Sequence, residues 1–320
     1  MDNSELDPAA IVGRAADLVA EHYLFAEVGD ELARQLRDGL AAGRYDGLGP
    51  AELAVAVTTD LQRINGDRHL RLKHHLDPIV DLEDDEAEFA FFAAQAAEAM
   101  YGVRRLERLA GNVGVLELGP ALFPAALVGD TISAAMRILA STDALLLDLR
   151  RLRGGDPGTV ALVCSYLLDG EPAHLNTMFP RDSARGAQSW TLPWVPGPRY
   201  RADKPIWVLT GPITFSGGEE LSYDLQQLGR ATVVGEVTGG GAHARRGFTV
   251  HPHLELSVPV VRAENPISGT NWETVGVTPD ISVSDTGDAL ATAYQLALVH
   301  VAGTDISPAL RREIADAQGS

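Results

Sequence analysis

Residues 205–236 read PIWVLTGPITFSGGEELSYDLQQLGRATVVGE. PIWVLTG (205–211) and TVVGE (232–236) are short, β-rich apolar runs, and the stretch between them, 217–228, carries helical spacing. A strand, a glycine-containing loop, a helix and another strand in that order specify an α/β unit whose sheet is covered on both faces. Two more runs of the same kind lie upstream, VGVLEL (113–118) and ALLLDL (144–149), and the second opens a loop, RLRGGDPG, ahead of a helix expected near 158–168. Downstream, HLELSVPVVRA (253–263) alternates like a strand, and helices are expected near 288–301 and 307–317.

The N-terminal part has a different period. Ile11, Ala15, Leu18, Val19 and Tyr23 recur at helical spacing, a second amphipathic stretch runs from about 28 to 42, and a third from 51 to 64. The expected organisation is therefore a small helical domain over 1–75 that carries His69, and a connecting segment over 76–110. An α/β domain over 111–305 and a C-terminal helix or tail over 306–320 follow.

Composition narrows the functional classes. The chain of 320 residues has 26 basic and 44 acidic side chains, a formal charge of −18, which disfavours nucleic acid and anionic membrane as partners. No apolar run approaches the roughly 20 residues that cross a bilayer. The N-terminus is acidic and broken by charges, unlike a secretory signal, so the cytoplasm is the expected location. The one cysteine, Cys164 in TVALVCSYLL, reads as a buried structural thiol. No metal or other cofactor is expected, and nothing in the sequence marks an oligomeric interface.

Four segments carry candidate chemistry. Ser216 follows a strand and opens a helix, where small neighbours admit a substrate and the helix dipole favours developing negative charge. It also fits a capping box with Glu219, in which the hydroxyl merely caps the helix, and the local pattern by itself favours the cap. Gly154 and Gly155 lie between strand and helix, where amides can face an oxyanion, or where a tight turn simply needs glycine. NGDRHL (65–70) offers His69 as a base, with His243 in GGGAHARRG as its competitor; either also reads as a turn histidine. TNWETVGVTPDI (270–281) offers Glu273, an orienting carboxylate or an exposed loop acid.

Taken together, TFSGGEELSYDLQQLGRATVVGEVTGGGAH (214–243), AAMRILASTDALLLDLRRLRGG (134–155), TNWETVGVTPDI, and AADLVAEHYLF (15–25) with INGDRHLRL (64–72) resemble the tail-specific, or C-terminal processing, serine peptidase family. The nearer branch resembles the tricorn protease core and the repeats of interphotoreceptor retinoid-binding protein. The resemblance implies a ClpP/crotonase-like superhelical core and serine peptidase chemistry on a peptide substrate. In the processing branch the base is a lysine after the GE motif. Here GEVTGGGAH has none near Gly241, and the chain's only lysines, Lys73 and Lys204, do not fit that position. The tricorn-like branch implies Ser216, His69 and Glu273 as the catalytic set, with Gly217, Gly154 and Gly155 at the oxyanion. The serine that this branch can place before the histidine is replaced by Arg68. Arg245 and Arg246 are candidates for a peptide carboxylate, or solvated surface arginines. About 35 residues between the helices and the core leave no room for a PDZ module, so strand-addition recognition of a protein tail is not expected. The retinoid-binding relatives imply an alternative, a non-catalytic binder of small apolar ligands such as a retinoid or fatty acid. An enzyme acting on acyl-CoA, as in the crotonases, leaves the order of His69, Ser216 and Glu273 unexplained.

Overall fold

The computed structural model describes residues 6–80, 85–168, 170–284 and 286–319. Residues 81–84 of the expected connecting segment lie outside these. The chain forms two compact units that interleave in sequence. Met1–Glu83, Thr177–Ala187 and Gly241–Glu264 make the first, and Asp84–Asn176, Gln188–Gly240 and Asn265–Ser320 the second.

The second unit is built on a six-stranded sheet. Its order is Ile281–Ser282, Thr232–Gly235, Ile206–Thr210, Ala144–Asp148, Val113–Leu118 and Val103–Leu109. All neighbours are parallel except the last pair. Successive side chains of a strand point to opposite faces, and here both faces are buried. Leu145 and Leu147 pack under the helices Ala125–Leu139, Pro157–Leu167 and Gly217–Gln227, while Ala144 and Leu146 pack under Thr286–Ala302 and Pro308–Gly319. That is why the strand reads as an unbroken apolar run instead of an alternating one. Truncating Leu147 to Ala costs about 2–5 kcal/mol, the usual range for a fully buried leucine. Asp156 starts the helix Pro157–Leu167 by accepting the Thr159 N–H at 2.8 Å, and proline at the first turn loses no helical hydrogen bond. Cys164 of this helix is fully buried, and burial pushes its thiol well above the ordinary range.

The first unit holds the helices Pro8–His22, Ala26–Ala41 and Pro50–Leu61, but it is not purely helical. Strand Leu254–Glu264 pairs antiparallel with His243–His251 along its length, with Arg71–His74 at residues 254–257, and with residues 177–180 at 261–264. Leu254, Leu256 and Val258 close one core with Val12, Val19, Leu53, Val57 and Leu72. The free edge of Arg71–His74 is closed by a side chain: Thr58 Oγ1 accepts the Leu72 N–H at 3.0 Å and donates to the Leu72 carbonyl at 3.1 Å. The connecting segment is helical over Asp85–Glu98 and then enters the second unit's sheet as Val103–Leu109.

Candidate active site

Ser216 sits between strand Ile206–Thr210 and helix Gly217–Gln227 with φ 52° and ψ −121°. A non-glycine residue at positive φ costs of order 1–3 kcal/mol and persists only where its surroundings enforce it, commonly at functional sites. The same strained strand-to-helix turn exposes the nucleophile in hydrolases of another fold. The turn has the outline of a capping box, yet only the Glu219 half is a hydrogen bond. Glu219 Oε2 accepts the Ser216 N–H at 2.8 Å, whereas the Glu219 N–H, which a capping hydroxyl would take, goes to the Ser216 backbone carbonyl at 2.8 Å. The hydroxyl is not spent as a cap.

The Gly154–Gly155 loop lies against this turn. A Cβ at Gly154 would stand 2.9 Å from Ser216 Cβ and 3.3 Å from its Oγ, and one at Gly155 would strike the Leu122 carbonyl oxygen at 2.1 Å. Both glycines also have positive φ, 124° and 136°, so this approach admits no side chain. One at Gly217 would come within 3.1 Å of the Gly155 nitrogen. The structure thus brings Ser216, Gly217, Gly154 and Gly155 into one group.

Glu219 extends the group. Fully buried, it also accepts the Thr238 hydroxyl at 2.5 Å and the Gly240 N–H at 2.6 Å. The Gly240 carbonyl accepts the Thr274 N–H at 3.1 Å. Glu273, next in the chain, is fixed by its own N–H to Asn271 Oδ1 at 2.9 Å, and Thr274 is held at φ 63°. One buried carboxylate therefore links the Ser216 turn to the segment that carries Glu273.

His69 lies in the first unit, 5% exposed, in a network centred on Asp67. Asp67 Oδ1 accepts the His69 N–H at 3.0 Å, while Oδ2 accepts the Tyr23 hydroxyl at 3.0 Å and lies 2.8 Å from His243 Nδ1. Asn65 Nδ2 donates to the Tyr23 oxygen at 2.5 Å, and Ser257 donates to the His69 carbonyl at 2.6 Å. Burial pulls the His69 imidazole down to about 4. The Asp67 charge works against this, and Arg71, His243 and Arg245 add to the fall. His243 is thus held by a carboxylate. Arg68 is exposed. Arg245 pairs with Glu255, and the Arg246 guanidinium stands 5.1 Å over the Phe248 ring. Neither lysine is placed as a base. Lys204 Nζ donates to the carbonyls of Ala140 and Thr142 at 2.9 and 2.6 Å, and Lys73 Nζ to Glu255 at 3.4 Å.

Sequence reading missed Asp67 and the wider role of Glu219, as well as two further buried acids, Glu220 and Asp224. For the last pair a signal was present. They stand at i and i+4 of one helix, where like charges repel, with nothing basic beside them.

Residues 115–283 match the model of peptidase family S41, and residues 7–102 match the N-terminal domain of S41 peptidases in eukaryotic IRBP. A lipoprotein from Streptococcus agalactiae superposes with TM-score 0.57 at 15% identity, over 94% of this chain and 100% of that one. The photosystem II D1 C-terminal processing protease superposes with TM-score 0.52 at 15% identity, over 87% and 93%. The tricorn protease superposes with TM-score 0.60 at 12% identity, over 92% of this chain but 36% of that longer one. Among the described residues no helix is long and apolar enough to cross a membrane. The chain belongs to peptidase family S41, a family of serine-type peptidases.

Proposed function

We propose that this peptidase cleaves peptides through an acyl-enzyme on Ser216, with His69 as base and Glu273 as the carboxylate that orients it. Ser216 Oγ attacks the scissile carbonyl carbon while its proton passes to His69. The tetrahedral oxyanion is held by the Gly217 amide with that of Gly154 or Gly155. Collapse of the intermediate breaks the C–N bond as His69 returns the proton to the leaving amine, and water then hydrolyses the ester. Glu273 holds the imidazole and stabilises its charged form. Arg245 is committed to Glu255, which leaves Arg246 the better placed to meet a peptide carboxylate.

The observation that carries this reading is the Ser216 turn: a strained serine at a helix start, its hydroxyl not used as a cap, with a glycine loop that admits no side chain packed against it. A fluorophosphonate probe tests it. Labelling should fall on Ser216, vanish in Ser216→Ala, and drop by roughly 10³-fold or more in His69→Ala and Glu273→Ala, as for residues that act as one unit. Absent labelling of the native protein, with tight binding of retinoid or fatty acid, would overturn the peptidase reading in favour of an apolar-ligand binder.

A further inference from the structure

Glu220 and Asp224 are 6% and 0% exposed, one turn apart on the helix that begins at Ser216. Both are reached by a single nitrogen: Asn176 Nδ2 lies 3.3 Å from Glu220 Oε1, and 2.9 and 3.1 Å from the two oxygens of Asp224. Asn265 Nδ2 adds a contact to Asp224 at 3.3 Å. No cationic side chain bonds either carboxylate among the described residues. The other groups facing them, Asp156 and the Cys164 thiol of helix Pro157–Leu167, bring no positive charge. Asn176 meanwhile leaves its own buried Oδ1 without a partner among the described residues, so its amide is oriented to serve the acids. Two carboxylates that share one donor in a dry interior do not both ionise.

Their surroundings connect them to Glu273. Asn265, which binds Asp224, also donates to the Leu175 carbonyl at 3.1 Å, and its Oδ1 accepts the N–H groups of Ile267 and Ser268 at 3.0 and 3.3 Å. Between the two acids on the helix, Tyr223 donates to Ser268 Oγ at 2.9 Å and packs its ring 5.2 Å from Trp272, the neighbour of Glu273.

We propose that Glu220 and Asp224 share a proton at neutral pH, and that this protonated pair is a positioning device that ties the Ser216 helix to the segment carrying Glu273. The proposal rests on the peptidase reading for its catalytic consequence and on the buried pair alone for its physical one. Burial pushes Glu220 up to about 7, against the Asn176 bond and with the Asp156 charge, and burial with the Glu220 charge pushes Asp224 well above the carboxylate range. Losing the shared proton puts two like charges in one dry site, and the contact through Asn265 opens.

Amide hydrogen exchange over residues 265–276 of the full chain tests this, corrected for the intrinsic base-catalysed rate. In the native protein the opening equilibrium should be flat below about pH 4, where the acids are protonated in both states, and rise about tenfold per pH unit from there until the closed pair loses its proton, the slope for one coupled proton. In Asp224→Asn, whose neutral amide replaces the protonated acid, the rise should be absent. Glu220→Gln serves as the second variant should the first fail to fold. Fluorophosphonate labelling should lose rate as the pair loses its proton in the native protein and not in Asp224→Asn. Exchange independent of pH, or the native slope retained in both variants, overturns the shared proton. Exchange as expected with unchanged labelling overturns the positioning role. A native protein that is never labelled overturns the peptidase reading instead, and exchange still decides the pair.

Discussion

Glu219 and Glu220 are neighbours on one helix, both buried, and their surroundings are opposite. Glu219 receives the Ser216 N–H, the Thr238 hydroxyl and the Gly240 N–H, all within 2.8 Å. Glu220 receives one amide at 3.3 Å and shares it with Asp224. The first carboxylate is solvated by the protein and organises three segments around itself, as a buried acid with good donors does. The second is poorly solvated, so its protonation and not its charge is what the fold accommodates. Adjacent positions on a helix face different neighbours, and the neighbours decide what a buried acid does.

If Glu219 is the organiser, Glu219→Gln should be the more damaging of the two amide substitutions. Glutamine keeps one acceptor oxygen but turns an NH₂ toward at least one of the three donors. We expect about 3 kcal/mol of lost stability, from a buried donor left unpaired plus a weakened charged bond. We also expect fluorophosphonate labelling of Ser216 to fall by about 10²-fold, as for small misplacements at a reacting centre. Glu220→Gln should cost less than about 1 kcal/mol at neutral pH, because it resembles the state already present. Urea unfolding of the two variants in parallel decides it; equal losses would remove the distinction.

Asp67 belongs with Glu219, since it too accepts three donors, and two of its partners are His69 and His243 of the first unit. Asp67→Asn should lose about 2 kcal/mol. It should also move His69 in a stated direction. The Asp67 charge raises the His69 pKa against burial, so its removal lowers the imidazole further below about 4. Proton NMR of the histidine C–H resonances reads this directly. An upward move would mean that Asp67 does not act on His69 by charge.

The pH dependence of stability separates the two kinds of site further. His69 has its pKa lowered from 6.5 to about 4, so its contribution is intact above pH 6.5 and is lost as pH falls toward 4. Glu220 has its pKa raised from 4.5 to about 7, so its contribution is intact below pH 4.5 and is lost as pH rises through 7. Glu220→Gln should therefore remove a fall in unfolding free energy between about pH 4.5 and 7, while His69→Ala should remove a rise between about pH 4 and 6.5.

The four inner strands of the second unit's sheet were readable because they are apolar runs buried on both faces, whereas the exposed edge strand Val103–Leu109 fell within the expected connecting segment. Ser216, Gly154 and Gly155 were readable because a strand, a small-residue turn and a helix start are all local. The helix Ala125–Leu139 was not foreseen, with Gly129 and the β-branched Val128, Thr131 and Ile132 in its middle. Strand His243–His251 was hidden by its charged start, and it is specified by pairing with Leu254–Glu264. The Asp67–His243 bond spans 176 residues, and no local pattern reports a contact of that range. Asn176 and Asn265 lie 44 and 41 residues from the acids they bind, one inside the strand His174–Pro180 and one just past the end of Leu254–Glu264, and neither position shows its partner until the fold closes.

Thr58 offers a gentler version of the contrast between polar groups with and without partners. Its hydroxyl satisfies both the N–H and the carbonyl of Leu72 on the free edge of Arg71–His74, and so closes that edge to another strand. Thr58→Val keeps the shape and removes both bonds, at an expected cost of about 1 kcal/mol, whereas Thr58→Ser should cost a few tenths. The edge that valine leaves open should show itself as concentration-dependent association in sedimentation velocity beyond that of the native protein and of Thr58→Ser. If valine is as stable as threonine and associates no more than it does, water satisfies Leu72 as well as the hydroxyl does, and the edge is closed by the helix Pro50–Leu61 alone.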